Sequence, residues 1–125
     1  MITFGNTENT LTQNGLMIKG DAAMIKIYQI NSDRDINKVK FMWYDFVKEF
    51  DFSIYDEVWS GEEPDGCDDL NGIYKVFNLY HPKDFKGHSL SVSDIVQIIG
   101  SDNGSNGYYY CDSVGWVELD EKLIK

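Results

Sequence analysis

Hydrophobic and polar residues follow two different periods along this chain. Met24–Ile30, MIKIYQI, alternates: Ile25 and Ile27 point one way with Gln29 in phase, while Met24, Lys26, Tyr28 and Ile30 point the other. Apolar residues on both sides predict a strand covered on both faces over part of its length. Ser53–Ser60 sets Ile54, Asp56 and Val58 against Tyr55, Glu57 and Trp59, predicting a strand with its aromatics on one face. Further strands are expected at Ile95–Ile99 and Tyr108–Asp112. Leu70, Ile73, Tyr74 and Phe77 recur at helical spacing, Asp68 can cap that helix, and His81-Pro82 stops it. Gly72 weakens the helix by about 1 kcal/mol relative to alanine, so packing must hold it.

Two segments are less regular. Over residues 31–50, Ile36, Val39, Trp43, Phe46, Val47 and Phe50 fit one face of a helix, but VKFMW also reads as extended chain with a helix confined to Asp45–Phe50. The second reading is preferred. In residues 1–23, Asn14-Gly15 between short alternating runs predicts a β-hairpin, because both residues accept the positive φ of a type I′ turn. The expected fold is α+β: a small, mostly antiparallel sheet with two short helices and an N-terminal hairpin extension. The expected organisation is a 1–23 extension followed by one domain over 24–125.

The segment GHSLSVSDIV places Ser89, Ser91 and Ser93 opposite Leu90 and Val92. An unbroken strand would carry the Asp94 carboxylate onto a buried face, at a cost of several kcal/mol. Ser91–Asp94 is therefore expected to be a turn in which Ser93 or Asp94 accepts backbone N–H groups, with the strand starting at Ile95.

HPKDFKGHSLSVSDIV followed by YYYCDSVGW, after a strand such as MIKIYQI and a helix such as LNGIYKVFN, resembles the YodL-like domain family. The resemblance runs from about Met24 to Leu119. It is strongest at Phe77-Asn78, His81-Pro82, Asp84-Phe85, Gly87 to Asp94 and Asp112 to Trp116. It implies a small domain of Firmicutes, often carried on phages and conjugative elements, with no assigned chemistry. The first 23 residues lie outside it.

Catalytic signatures are weak. Gly87-His88-Ser89-Leu90-Ser91 has serine where a nucleophile elbow needs its second glycine, and the strand follows it instead of preceding it. A hydrolase using Ser89 and His88 is the least favoured reading. His81 and His88 are the only imidazoles, and Cys67 and Cys111 form no metal-binding spacing. Asn31, Asp33 and Asp35 imitate the start of a calcium loop, but Ile36 stands where glycine is required and Met42 where glutamate is required. No phosphate-binding glycine motif is present. No enzyme activity, metal or cofactor is expected. Without an apolar leader or a membrane-length apolar run, a bacterial cytoplasmic location is expected.

Charge carries the remaining signal. The chain has a formal net charge of −10, and residues 45–69 hold ten acids against one base. Such a field repels nucleic acid and membranes and attracts basic partners. Asp45, Glu49, Asp51, Asp56, Glu57, Glu62, Glu63, Asp65, Asp68 and Asp69 interleave with Trp43, Tyr44 and Trp59. These residues are the expected partner-binding set, with carboxylates standing in for phosphates and aromatics as anchors. The expected partner is a protein with a basic nucleic-acid-binding surface, such as a host defence nuclease; the alternative is a regulatory protein-interaction module of a phage or plasmid whose acidity is incidental.

Overall fold

The structure is a computed structural model, and it describes residues 23–63, 69–100 and 106–124. The predicted 1–23 hairpin lies, apart from Ala23, outside the described residues. Five antiparallel strands form one sheet in the order β2-β1-β3-β4-β5. They are β1 (Met24–Ile30), β2 (Tyr55–Glu62), β3 (Ile95–Ile99), β4 (Gly107–Cys111) and β5 (Trp116–Leu119). The one α-helix among the described residues, α1 (Leu70–Leu79), lies between β2 and β3 in the chain. β5 completes the sheet beyond the four predicted strands.

Alternation along β1 and β3 builds a core on each side of the sheet. Ile25, Ile27, Val96 and Ile98 pack with Ile73 and Phe77 of α1 and with Phe85 and Leu90 of the following loop. The opposite face carries Ile95, Tyr110 and Leu119, covered by Tyr44, Val47, Phe50 and Phe52. Asp69, one residue beyond the predicted cap, accepts the Gly72 N–H at 2.8 Å and starts α1.

The second predicted helix does not form. Residues 31–54 instead run as irregular chain with three short 3-10 turns, at Ser32–Arg34, Tyr44–Phe46 and Phe52–Ile54. Val47 is already extended, with ψ of 107°, so the helix expected over Asp45–Phe50 is cut to one 3-10 turn, and the positive φ of Lys38 and Phe41 rules out the longer helix over 31–50. Side chains satisfy the backbone here in place of a helical ladder. Asp35, 6% exposed, accepts the N–H groups of Val39 and Lys40. Ser93 Oγ accepts Phe41 N–H at 2.8 Å, Asp112 accepts Tyr44 N–H at 3.1 Å, and the Tyr110 hydroxyl donates to the Met42 carbonyl at 2.6 Å.

A β-bulge also alters β2. Tyr28 pairs with Glu57 but Ile27 pairs with Trp59, so Val58 is the extra residue. Tyr55 and Trp59 therefore lie on opposite faces, where simple alternation had placed them together. Trp59 packs edge-on against Phe77 with ring centroids 4.9 Å apart, and Tyr55 stacks on Phe52 at 5.7 Å.

Candidate functional site

The bulged strand determines where the acids go. β2 is the outermost strand of the described sheet, so one of its edges has no strand partner among the described residues. Its eight residues span roughly 23 Å. Tyr55 at one end adjoins the 43–52 segment, while Glu62 and Glu63 lie at the other end beside Ala23, whose carbonyl accepts Glu63 N–H at 2.8 Å. The described acids of the predicted set are thus divided between β2 with its end at Glu62 and Glu63, the 43–52 segment beside Tyr55, and Asp69 at the start of α1.

Several of these acids already have work inside the fold. Asp56 pairs with Arg34 at 2.5 Å and accepts from Asn31 Nδ2 at 2.9 Å, and these bonds hold its carboxyl below the usual range. Glu57 faces Lys26 at 3.5 Å. Asp51 accepts from the Ser53 hydroxyl and amide, which likewise lowers its pKa. Asp69 caps α1. Asp65 and Asp68 lie outside the described residues. Asp45, Glu49, Glu62 and Glu63 remain, with side chains that meet no hydrogen-bond or ionic partner among the described residues.

The predicted aromatic anchors divide as well. Trp43 is 49% exposed and packs edge-on against Phe46, itself 43% exposed. Tyr44 is half-buried over Tyr110, with ring centroids 5.1 Å apart. Trp59 is 8% exposed, and its indole N–H donates to Asp84 at 2.7 Å, so its ring belongs to the core beneath α1.

A second cluster of polar groups escaped the sequence reading. Asp94 is 1% exposed. Its Oδ2 accepts from Gln29 Nε2 at 3.0 Å and from Ser91 N–H at 2.8 Å. Gln29, on β1, also donates to the His88 carbonyl at 2.8 Å and accepts His88 N–H at 3.1 Å. The expected Ser91–Asp94 turn is present: Asp94 N–H donates to the Ser91 carbonyl, Ser93 takes φ of 83°, and β3 begins at Ile95. Burial pushes the Asp94 carboxyl up to about 7, against the opposing pull of Ser91, Gln29 and Lys40. The signal was available in the sequence: Gln29 sits in phase with Ile25 and Ile27, and a buried amide predicts a buried partner.

His88 closes this cluster without forming a serine dyad. Its Nδ1 meets the Ser89 carbonyl at 2.7 Å, and Ser89 is exposed. Cys111, nearby on β4, is buried with its thiol pushed up to about 12 by burial and the neighbouring carboxylates, which makes it a poor nucleophile. Among the described residues, no group of three or more His, Cys, Asp or Glu side chains could hold a metal. Among them too, no helix is long and apolar enough to cross a membrane.

A family model described as the YodL-like domain matches residues 24–121. The chain belongs to the YodL-like domain family. That span contains every strand of this YodL-like domain, α1, and the loop that holds His88 and Asp94. No curated protein and no solved structure matches the chain.

Proposed function

We propose that this YodL-like domain is a non-enzymatic acidic binding protein of a mobile genetic element that occupies the basic nucleic-acid-binding surface of a host defence nuclease, of the CRISPR or restriction type. The observation that carries this reading is the set of acids Asp45, Glu49, Glu62 and Glu63, whose side chains have no partner among the described residues: Glu62 closes β2 and Glu63 follows it, while Asp45 and Glu49 lie in the segment that adjoins its other end, with Trp43 exposed two residues before Asp45. Separated carboxylates stand in for the spaced charges of a phosphate backbone, and electrostatic complementarity steers them to a groove lined with lysine and arginine. The family context supports the mobile-element setting. The test is titration of the protein against DNA-free and DNA-loaded nuclease at two salt concentrations. Competition with DNA that weakens as salt rises is expected. Absence of binding or of competition overturns the proposal.

A second reading follows from the acids already committed within the fold. With Asp51, Asp56, Glu57 and Asp69 occupied, the exposed aromatics Phe41, Trp43 and Phe46 become the dominant feature, and the domain is a regulatory protein-interaction module with incidental acidity. Reversing Asp45, Glu49, Glu62 and Glu63 to lysine separates the two. Binding is lost under the first reading and retained under the second.

A further inference from the structure

The facing pair of half-buried His88 and buried Asp94 presents a chemical problem that the fold does not solve with its own hydrogen bonds. His88 Nε2 and Asp94 Oδ1 are both buried, both lack a hydrogen-bond partner, and lie 3.9 Å apart. The network assigns the imidazole tautomer. Nδ1 is 2.7 Å from the Ser89 carbonyl, which can only accept, so Nδ1 carries hydrogen. Gln29 Nε2, 3.3 Å from Nδ1, spends its two hydrogens on the His88 carbonyl and on Asp94 Oδ2. In the neutral ring Nε2 therefore turns a lone pair toward a carboxylate oxygen. Two acceptors facing one another in a buried site repel unless a proton lies between them.

This pair supports the irregular 35–43 segment from below. The Phe41 ring lies on the His88 ring, with centroids 5.4 Å apart, and Phe41 N–H donates to the hydroxyl of Ser93, next to Asp94. Phe41 holds φ of 70°, a conformation that a bulky side chain keeps only when its surroundings impose it. We propose that the proton shared by His88 and Asp94 is a latch: with it in place, the 35–43 segment is held against the sheet, and its loss releases Phe41 and the exposed Trp43 that follows.

Groups from every neighbouring element face this site. Gln29 approaches from β1, Tyr55 from β2 through a 2.7 Å bond to the Ser93 carbonyl, Lys40 from the 35–43 segment, and Tyr110 and Cys111 from β4. Burial pushes both tyrosines and the thiol up, which keeps them protonated and uncharged through neutral pH. The Asp35 carboxylate acts on Tyr55 and the Asp112 carboxylate on Tyr110 and Cys111, each opposing ionisation. With those groups uncharged, the proton in question lies between the Asp94 carboxyl, which burial pushes up, and the His88 imidazole that faces it.

The latch is tested on the free full-length chain, independently of any partner. The protection factor of the Phe41 amide against hydrogen exchange, and the ¹³C shift of the Asp94 carboxyl, are followed by NMR from mildly acidic to mildly alkaline pH. Protection should fall about tenfold as the Asp94 carboxyl titrates, the two changes sharing one midpoint. Asp94→Asn supplies a permanent donor to Nε2 and should flatten the protection profile. His88→Gln supplies a donor to Asp94 Oδ1 at all pH values and should flatten it too, so it decides the matter if the first variant does not fold. A flat profile in the wild type, a fall that persists in the variants, or a fall with no carboxyl titration overturns the latch.

Discussion

Gln29 Nε2 donates to Asp94 Oδ2 at 3.0 Å, joining β1 to the residue that launches β3 through a side-chain bond where the strand ladder ends. The same carboxamide binds both backbone groups of His88. Gln29→Leu keeps the apolar surface of β1 but removes one of the two donors to Asp94 Oδ2, leaving Ser91 N–H, and unpairs both backbone groups of His88. A loss of about 2–4 kcal/mol is expected in urea denaturation. A variant as stable as the wild type would show that this cluster does not hold the loop.

Asp94 should make stability depend on pH. Its carboxyl stands at about 7 in the fold against an ordinary value of 3.8, so the uncharged acid is the form the fold prefers. The stabilisation is full below the ordinary value and is lost as pH rises through the folded value. The melting temperature of the wild type should drop between the ordinary value of 3.8 and the folded value of about 7 and level off above it, and Asp94→Asn should remove most of the drop. Equal slopes in the two proteins would refute this assignment.

Gly87 leaves room for that same carboxamide. A Cβ at this position would collide with Gln29 Oε1 and come within 3.1 Å of Val58. Gly87→Ala should cost about 1–3 kcal/mol through overpacking. In a double-mutant cycle with Gln29→Ala the cost should be well below additive, because the obstructing atoms are gone.

The two tryptophans of the acidic segment should behave oppositely. Trp59→Ala empties the core against Phe77 and should cost about 3–5 kcal/mol. Trp43→Ala removes an exposed ring and should stay within about 0.5 kcal/mol of the wild type. Partner binding, measured by calorimetry, should weaken in the Trp43 variant and survive in Trp59→Phe.

Much of this architecture is legible in the sequence because it depends on local period. Ile25, Ile27 and the Leu70–Phe77 stripe announce β1 and α1, and the awkward position of Asp94 announces the turn before Ile95. The 31–54 segment hid its structure because side chains distant in sequence, Ser93, Tyr110 and Asp112, satisfy its backbone. β5 is four residues long, too short for alternation to stand out. Among the candidate acids, residue type alone could not separate Asp56, tied to Arg34, from Glu62, whose side chain has no hydrogen-bond or ionic partner among the described residues.

The bulge at Val58 gives β2 a mechanical role. Because the strand turns over once along its length, Tyr55 is gripped by one core and Trp59 by the other, four positions away. Peeling this strand from the sheet breaks both grips together. The clusters on the two faces of the sheet are thereby coupled through a single strand.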